Sequence, residues 1–171
     1  MPANLPVNIL LVDDRPENLL ALEAVLSALG QNLVKARSGK EALKCLKQGP
    51  YALILLDVQM PDMDGFETAT RIRAGEKSQP TPIIFLTAIY TSDAYSFQGY
   101  SLGAVDYITK PFEPEVLKAK AQVFIDLFQK TQAVRQLNET LECRVQERTV
   151  ELQSANEALK KAAGKHRQGH G

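Results

Sequence analysis

Cysteine is scarce in this 171-residue chain. Its two residues, Cys45 and Cys143, stand too far apart for a disulfide framework or a clustered metal site. Long apolar runs are missing as well: the longest, Ile9–Val12 and Leu53–Leu56, fall far short of the ~20 residues that a membrane helix needs. Net charge is absent, because 20 Lys and Arg cancel 20 Asp and Glu. No bulk field draws the chain to nucleic acid or anionic membrane, and there is no basic stripe of the kind a nucleic-acid binder carries. The opening Met-Pro-Ala-Asn-Leu-Pro lacks the charged and apolar regions of a signal peptide. These absences predict a soluble, cytoplasmic protein with neither nucleic acid nor membrane as a partner. What is present, 44% hydrophobic and 23% charged residues, is ordinary for a folded globular chain and argues against wholesale disorder.

Prolines and aromatics stop by Phe128, and no Gly/Ser-rich linker or internal repeat marks the change. Before it, strand and helix signals alternate. Val7–Val12 is an aliphatic run suited to a strand buried on both faces of a parallel sheet. Pro16 fits a first helical turn, and Leu19, Leu20, Leu22, Val25, Leu26 and Leu29 follow at helical spacing until Gly30. Asn32–Ala36 reads as the second strand. Ser38 and Glu41 form a capping box for a helix through Leu46. Leu53–Leu56 ends at Asp57 as the third strand, and the turn Met60-Pro61-Asp62-Met63-Asp64-Gly65 leads to a helix near Phe66–Ile72. In that turn Asp62 and Asp64 read as turn and cap residues, with Gly65 relieving the turn. Ile83–Leu86 is the fourth strand, Asp93–Leu102 a weaker helix and Val105–Ile108 a fifth strand before the last helix starts at Glu113.

Strict βα alternation predicts an α/β fold with a parallel sheet and helices on both faces, because right-handed crossovers place them there. Sites in such sheets form at the carboxyl ends of the strands. The residues at those ends are Asp13 and Asp14, then Asp57, Thr87 and Lys110. Three carboxylates at one edge repel, which raises at least one pKa or calls for a cation. Mg²⁺ suits them, since it takes one or two carboxylates with waters and phosphate oxygens. A carboxylate can then attack a phosphoryl group, with Lys110 and the Thr87 hydroxyl of the right types to hold its oxygens.

With these residues in place, Val12-Asp13-Asp14, Leu56–Gly65, Leu86-Thr87-Ala88 and Asp106–Phe112 resemble the receiver domain of two-component response regulators, from about Asn8 to about Phe128. The resemblance implies a flavodoxin-like five-stranded sheet of order 2-1-3-4-5. It also implies a phosphorelay role in which Asp57 accepts a phosphoryl group from the phosphohistidine of a cognate histidine kinase or phosphotransfer protein. Asp14 and Asp57 would ligate Mg²⁺ directly, Asp13 through water and Gln59 through its backbone carbonyl. Thr87 and Lys110 would hold the phosphoryl group, and Tyr107 would be the switch aromatic. A cis peptide before Pro111 would complete the set. Such a domain is a phosphoacceptor signalling domain, not an enzyme with a separate substrate. The chain departs from the usual pattern at Ala88-Ile89-Tyr90 and Tyr95–Tyr100, which leaves the partner surface open.

Other functional classes fit less well. A metal-dependent phosphatase of the haloacid-dehalogenase type wants a second Asp two residues after the nucleophile, where Gln59 stands. A flavodoxin-like cofactor binder needs a Ser/Thr/Gly-rich phosphate loop after the first strand, where Asp13 and Asp14 would repel phosphate. Cys45 reads as a half-buried small apolar residue, and His166 and His170 as part of a polar tail.

Beyond Leu127 a heptad register holds. Thr131, Asn138, Val145, Leu152 and Leu159 occupy one core position, and Leu127, Val134, Leu141, Arg148, Ala155 and Ala162 the other. This predicts a coiled coil, and Asn138 in its seam favours a parallel homodimer in one register. A helix from Glu113 to Ala163 would run ~75 Å, too long to fold back on a small domain. Residues 1–128 are thus expected as the receiver, 129–163 as a coiled-coil signalling helix and 164–171 as a disordered tail after Gly164. The segment Leu141–Leu152 resembles signalling-helix linkers that join receivers or sensors to histidine kinase or cyclic-dinucleotide cyclase domains. A receiver piece of such a larger protein, with its output beyond residue 171, is the alternative.

Overall fold

The structure, a computed structural model, describes residues 5–75, 81–88 and 104–168. Aliphatic runs form strands β1 (Asn8–Val12), β2 (Asn32–Ala36), β3 (Leu53–Asp57), β4 (Ile83–Thr87) and β5 (Ala104–Thr109). They pair in parallel in the order β2-β1-β3-β4-β5, the flavodoxin-like arrangement. Between them lie α1 (Pro16–Leu26), α2 (Gly39–Leu46) and α3 (Gly65–Gly75), and a C-terminal helix spans Pro114–Gln168.

Every residue of β3 and β4 is buried, which explains why these strands read as unbroken hydrophobic runs. Alternation along the strands divides the core into two layers. Ile9, Leu11, Leu53 and Leu55 face α1 and the first turns of the C-terminal helix, meeting Leu22, Leu117, Ala121 and Ile125. Leu10, Val12, Ile54 and Leu56 face the other way, onto Ala42, Phe66, Ala69 and Ile72. Each fully buried Leu or Ile stabilises the fold by about 1.5–3 kcal/mol, so the sheet positions the site on a rigid base.

Local chemistry sets the helix ends. Ser38 accepts the Glu41 N–H at 3.1 Å, while the Glu41 carboxylate accepts the N–H of Arg37, not that of Ser38, so the capping box reaches one residue further back. α1 tightens into a 3₁₀ turn, Ser27–Leu29, and stops at Gly30, whose φ of 71° few other residues adopt. Gly164 does not stop the C-terminal helix, which continues to Gln168. A helical glycine costs about 1 kcal/mol relative to alanine, and the neighbouring Lys160, Lys161, Ala162 and Ala163 are good helix formers. The helix expected at Asp93–Leu102, with Ile89, Tyr90 and the aromatics Tyr95–Tyr100, lies outside the described residues.

Contacts divide the chain into two compact units, Met1–Gln129 and Lys130–Gly171. The first holds the sheet. The second is helical and leaves Val134, Leu141, Val145, Leu152 and Leu159 between 47% and 70% exposed.

Candidate functional site

β1, β3, β4 and β5 are successive neighbours in the sheet, so the residues that end them fall along one edge. Asp13 follows β1, Asp57 closes β3, Thr87 closes β4 and Lys110 follows β5. Register holds them level: Asp57 pairs with Leu86, Thr87 pairs with Thr109, and the Lys110 N–H donates to the Thr87 carbonyl at 2.8 Å. One oxygen of each of Asp13, Asp14 and Asp57 lies within 4.8 Å of the others.

Burial makes this crowding costly. Asp13 is fully buried and Asp57 is 5% exposed, while Asp14 is half-buried at the rim. Lys110 Nζ compensates by standing 3.0 Å from Asp13 Oδ2 and 3.3 Å from Asp57 Oδ1. The other oxygen of Asp13 is held by its own loop, accepting the Arg15 N–H at 3.0 Å and the Asn18 amide at 3.3 Å. Asp13 therefore anchors the entry to α1, although the residue at the helix N-cap position is Arg15, whose side chain makes no cap bond.

Asp57 is the perturbed member. Burial pushes its carboxyl above the ordinary carboxylate range; the Lys110 ammonium pulls it down, the Asp13 carboxylate pushes it up, and the Gln59 N–H lowers it again. The net direction is upward, because the loss of water around the ionised form outweighs the compensation that Lys110 supplies. Among the described residues the cluster is three carboxylates with no His or Cys, a hard, oxygen-only set of the kind that suits Mg²⁺. By this chemistry the residues fit that ion.

The loop after β3 is pinned beside Asp57. Gly65 donates its N–H to the Val58 carbonyl at 2.9 Å, and a Cβ there would lie 2.8 Å from Val58 Cα and closer still to the Asp57 carbonyl oxygen. Gly65 serves this close approach, not a turn. The left-handed turn residue is Asp62, at φ 67°, and Asp64 caps α3 by accepting the Glu67 N–H at 2.8 Å. Sequence reasoning missed the Gly65 approach and the Asn18 contact, since neither leaves a periodic signal.

Tyr107 lies on β5 opposite Phe85, with ring centroids 5.5 Å apart, and Phe85 in turn meets Phe66 at 4.9 Å. The Lys110–Pro111 peptide is cis. Asn138 is exposed on the second unit. A hollow of about 480 Å³ opens beside the site, lined by Asp13 and Lys110 together with Leu22, Leu86 and Phe112. It is large enough to admit a small-molecule-sized group.

No helix among the described residues is long and apolar enough to cross a membrane.

Comparison with known proteins agrees with this fold. The probable cyclic di-GMP phosphodiesterase of Vibrio cholerae is 34% identical over 151 residues, covering 88% of this chain and 34% of that protein. The signal transduction histidine-protein kinase BarA of Escherichia coli is 36% identical over 115 residues, 67% of this chain but 12% of that protein. The chain thus spans about a third of the first relative and about an eighth of the second. Among solved structures, the Vibrio cholerae chemotaxis protein CheY4 superposes with a TM-score of 0.66 at 32% identity, covering 70% of this chain and 99% of that one. Residues 9–122 match the response regulator receiver domain, and the chain belongs to that family of two-component signalling domains.

Proposed function

We propose that Asp57 is the phosphoacceptor of this receiver, taking a phosphoryl group from the phosphohistidine of a histidine kinase or phosphotransfer protein. One observation carries the reading: a nearly buried carboxylate with a raised pKa sits between two further carboxylates and a lysine at the strand ends. Such a carboxylate is oriented by its partners and largely desolvated.

In the transfer, an Asp57 oxygen bonds to phosphorus as the phosphorus–nitrogen bond of the donor breaks, and that electron pair returns to the imidazole. The product is an acyl phosphate on Asp57. Lys110 moves with the charge, from Asp57 Oδ1 toward the oxygens of the arriving group, and the Thr87 hydroxyl at the neighbouring strand end donates to another. Mg²⁺, held by Asp13, Asp14, Asp57 and the Gln59 carbonyl, would supply charge neutralisation for the incoming anion. Tyr107 follows Thr87 and acts as the switch. The output is a change in a homodimer formed through the C-terminal helix.

A second reading is favoured by the small share of its relatives that the chain covers: it is the receiver portion of a larger hybrid histidine kinase or cyclase. The site chemistry is the same in both.

Beryllofluoride, a phosphoryl mimic, tests the reading. With Mg²⁺ it should bind the wild-type chain at one site, measured by fluorine NMR, and should not bind Asp57→Ala. Equal binding by the variant would overturn the assignment.

A further inference from the structure

Strand β5 is the sheet edge beyond β4, and it carries one irregularity. Ile83 pairs with Ala104 but Ile84 pairs with Asp106, so Val105 is an extra residue, a β-bulge. Bulges of this kind re-aim the side chains that follow them. Past the bulge the register is regular, and alternation fixes which way each group faces. The Lys110 N–H points to β4; three residues earlier, the Tyr107 N–H therefore points off the sheet edge, beyond which no strand lies among the described residues. The Asp106 carboxylate accepts it instead, Oδ1 to Tyr107 N at 2.8 Å.

The other oxygen of Asp106 pairs with Lys120 Nζ on the C-terminal helix. Alternation puts Asp106 on the sheet face of Ile108, the face that this helix covers through Leu117 and Ala121, whereas Tyr107 belongs to the opposite face with Phe85. Asp106 thus connects a residue of one face to a helix on the other. The connection runs beside a hollow of about 350 Å³ bordered by Tyr107, Phe112, Val116 and Lys120. On this outer side the polar pair spans from strand to helix, next to the apolar contacts of Ile108 with Leu117 and Ala121. Both side chains keep about a third of their area exposed, 37% for Asp106 and 32% for Lys120, so the pair can separate without leaving a buried charge.

We infer that Asp106 and Lys120 are positioning residues that tie the Tyr107 backbone to the C-terminal helix, so that a rearrangement at Tyr107 reaches the helix through this pair. The inference rests on the proposed reading that Asp57 phosphorylation acts through helix-mediated dimerisation. If two equilibria are linked, each shifts the other by the same factor. Beryllofluoride with Mg²⁺ should change the dimerisation constant, and protein concentration should change beryllofluoride affinity equally.

The test measures that linkage in the full chain by analytical ultracentrifugation and fluorine NMR. Lys120→Ala should still bind beryllofluoride at Asp57 as monomer but lose about threefold or more of the linkage, the scale expected of one exposed charge pair. Asp106→Ala should lose at least as much and also unprotect the Tyr107 amide in hydrogen exchange. Lys120→Arg should restore wild-type linkage, a result that a general loss of stability would not give. Wild-type linkage in Lys120→Ala, with Tyr107 protection intact in Asp106→Ala, would overturn the coupling alone. A wild-type chain that binds beryllofluoride with no change in dimerisation would overturn the output reading and the coupling together.

Discussion

Lys110 Nζ lies 3.3 Å from Asp57 Oδ1, and it reaches Asp13 Oδ2 at 3.0 Å. One cation therefore serves two carboxylates that are almost withdrawn from water. Replacing it with methionine leaves both carboxylates without that partner, while the chain stem is kept. The Lys110 side chain is 21% exposed, so screening trims the loss. Lys110→Met should lower the stability of the metal-free protein by about 1–3 kcal/mol, the cost of leaving charged partners unsatisfied. Thermal melts with and without 10 mM-scale Mg²⁺, at roughly the excess that saturates a weak site, should show the deficit shrink when the ion is added. A deficit of equal size in both conditions would mean that the ion does not enter this cluster.

The raised pKa of Asp57 has a sign that can be read in solution. Because burial is its first cause, the folded state holds the Asp57 proton more tightly than the unfolded chain. Below the unfolded value of about 3.9 both states are protonated and the group contributes nothing. As pH rises through that value and on through the folded one, the folded state loses stability relative to the unfolded. Asp57→Asn, which cannot ionise, should match the wild type near the acid end and become progressively more stable than it toward pH 7 in the absence of Mg²⁺. Melting curves over that range check this. A wild type that gains on the variant as pH rises would reverse the assigned direction.

Gly65 supplies a steric prediction. A methyl group on Gly65 would meet the backbone of Asp57 and Val58, neither of which can swing aside. Gly65→Ala should cost about 1–3 kcal/mol, the range for overpacking a filled space, and should weaken beryllofluoride binding by moving Asp57. Gly49 provides the control, since a Cβ there meets nothing within 4 Å. Gly49→Ala should be neutral or stabilise by up to about 1 kcal/mol through the unfolded chain. Equal behaviour of the two variants in melts and in binding would show that close approach at Gly65 does not matter.

The contrast between these residues explains what was legible in the sequence. Asp13, Asp14, Asp57, Thr87 and Lys110 could be brought together because each follows an aliphatic run, and a parallel sheet aligns the ends of such runs. The strand order itself came with the resemblance, not with periodicity. Contacts that depend on the third dimension left no such trace. Gly65 looks like any turn glycine until the β3 backbone is placed against it. Gly39 looks like a weak helix start, yet a Cβ there would crowd the Thr68 hydroxyl of α3 and stand 2.6 Å from the sulfur of Met63 in the turn before that helix. Asp106 and Lys120 are ordinary surface charges until the Val105 bulge aims one at the other. Gly164 was misjudged because local propensity of its neighbours outweighs one glycine.

The second unit carries the remaining prediction. Val134, Leu141, Val145, Leu152 and Leu159 are spaced 7, 4, 7 and 7 residues apart, which puts them on one side of the helix, and all are exposed. Five aliphatic side chains in one stripe lose the most contact with water if a second copy covers them. Leu141 is the least exposed of the five, at 47%, and sits near the middle of the stripe. Leu141→Asp would bury a charge at the centre of the seam and should weaken dimerisation at least about tenfold, as loss of a central anchor does. Asn138 acts in the opposite sense: an amide in the seam lowers stability but is satisfied only when it faces its own counterpart. Asn138→Ile should tighten association while admitting trimers or a second register. Sedimentation velocity distinguishes these outcomes. Should both variants sediment as the wild type does, the stripe is not where copies of this chain meet.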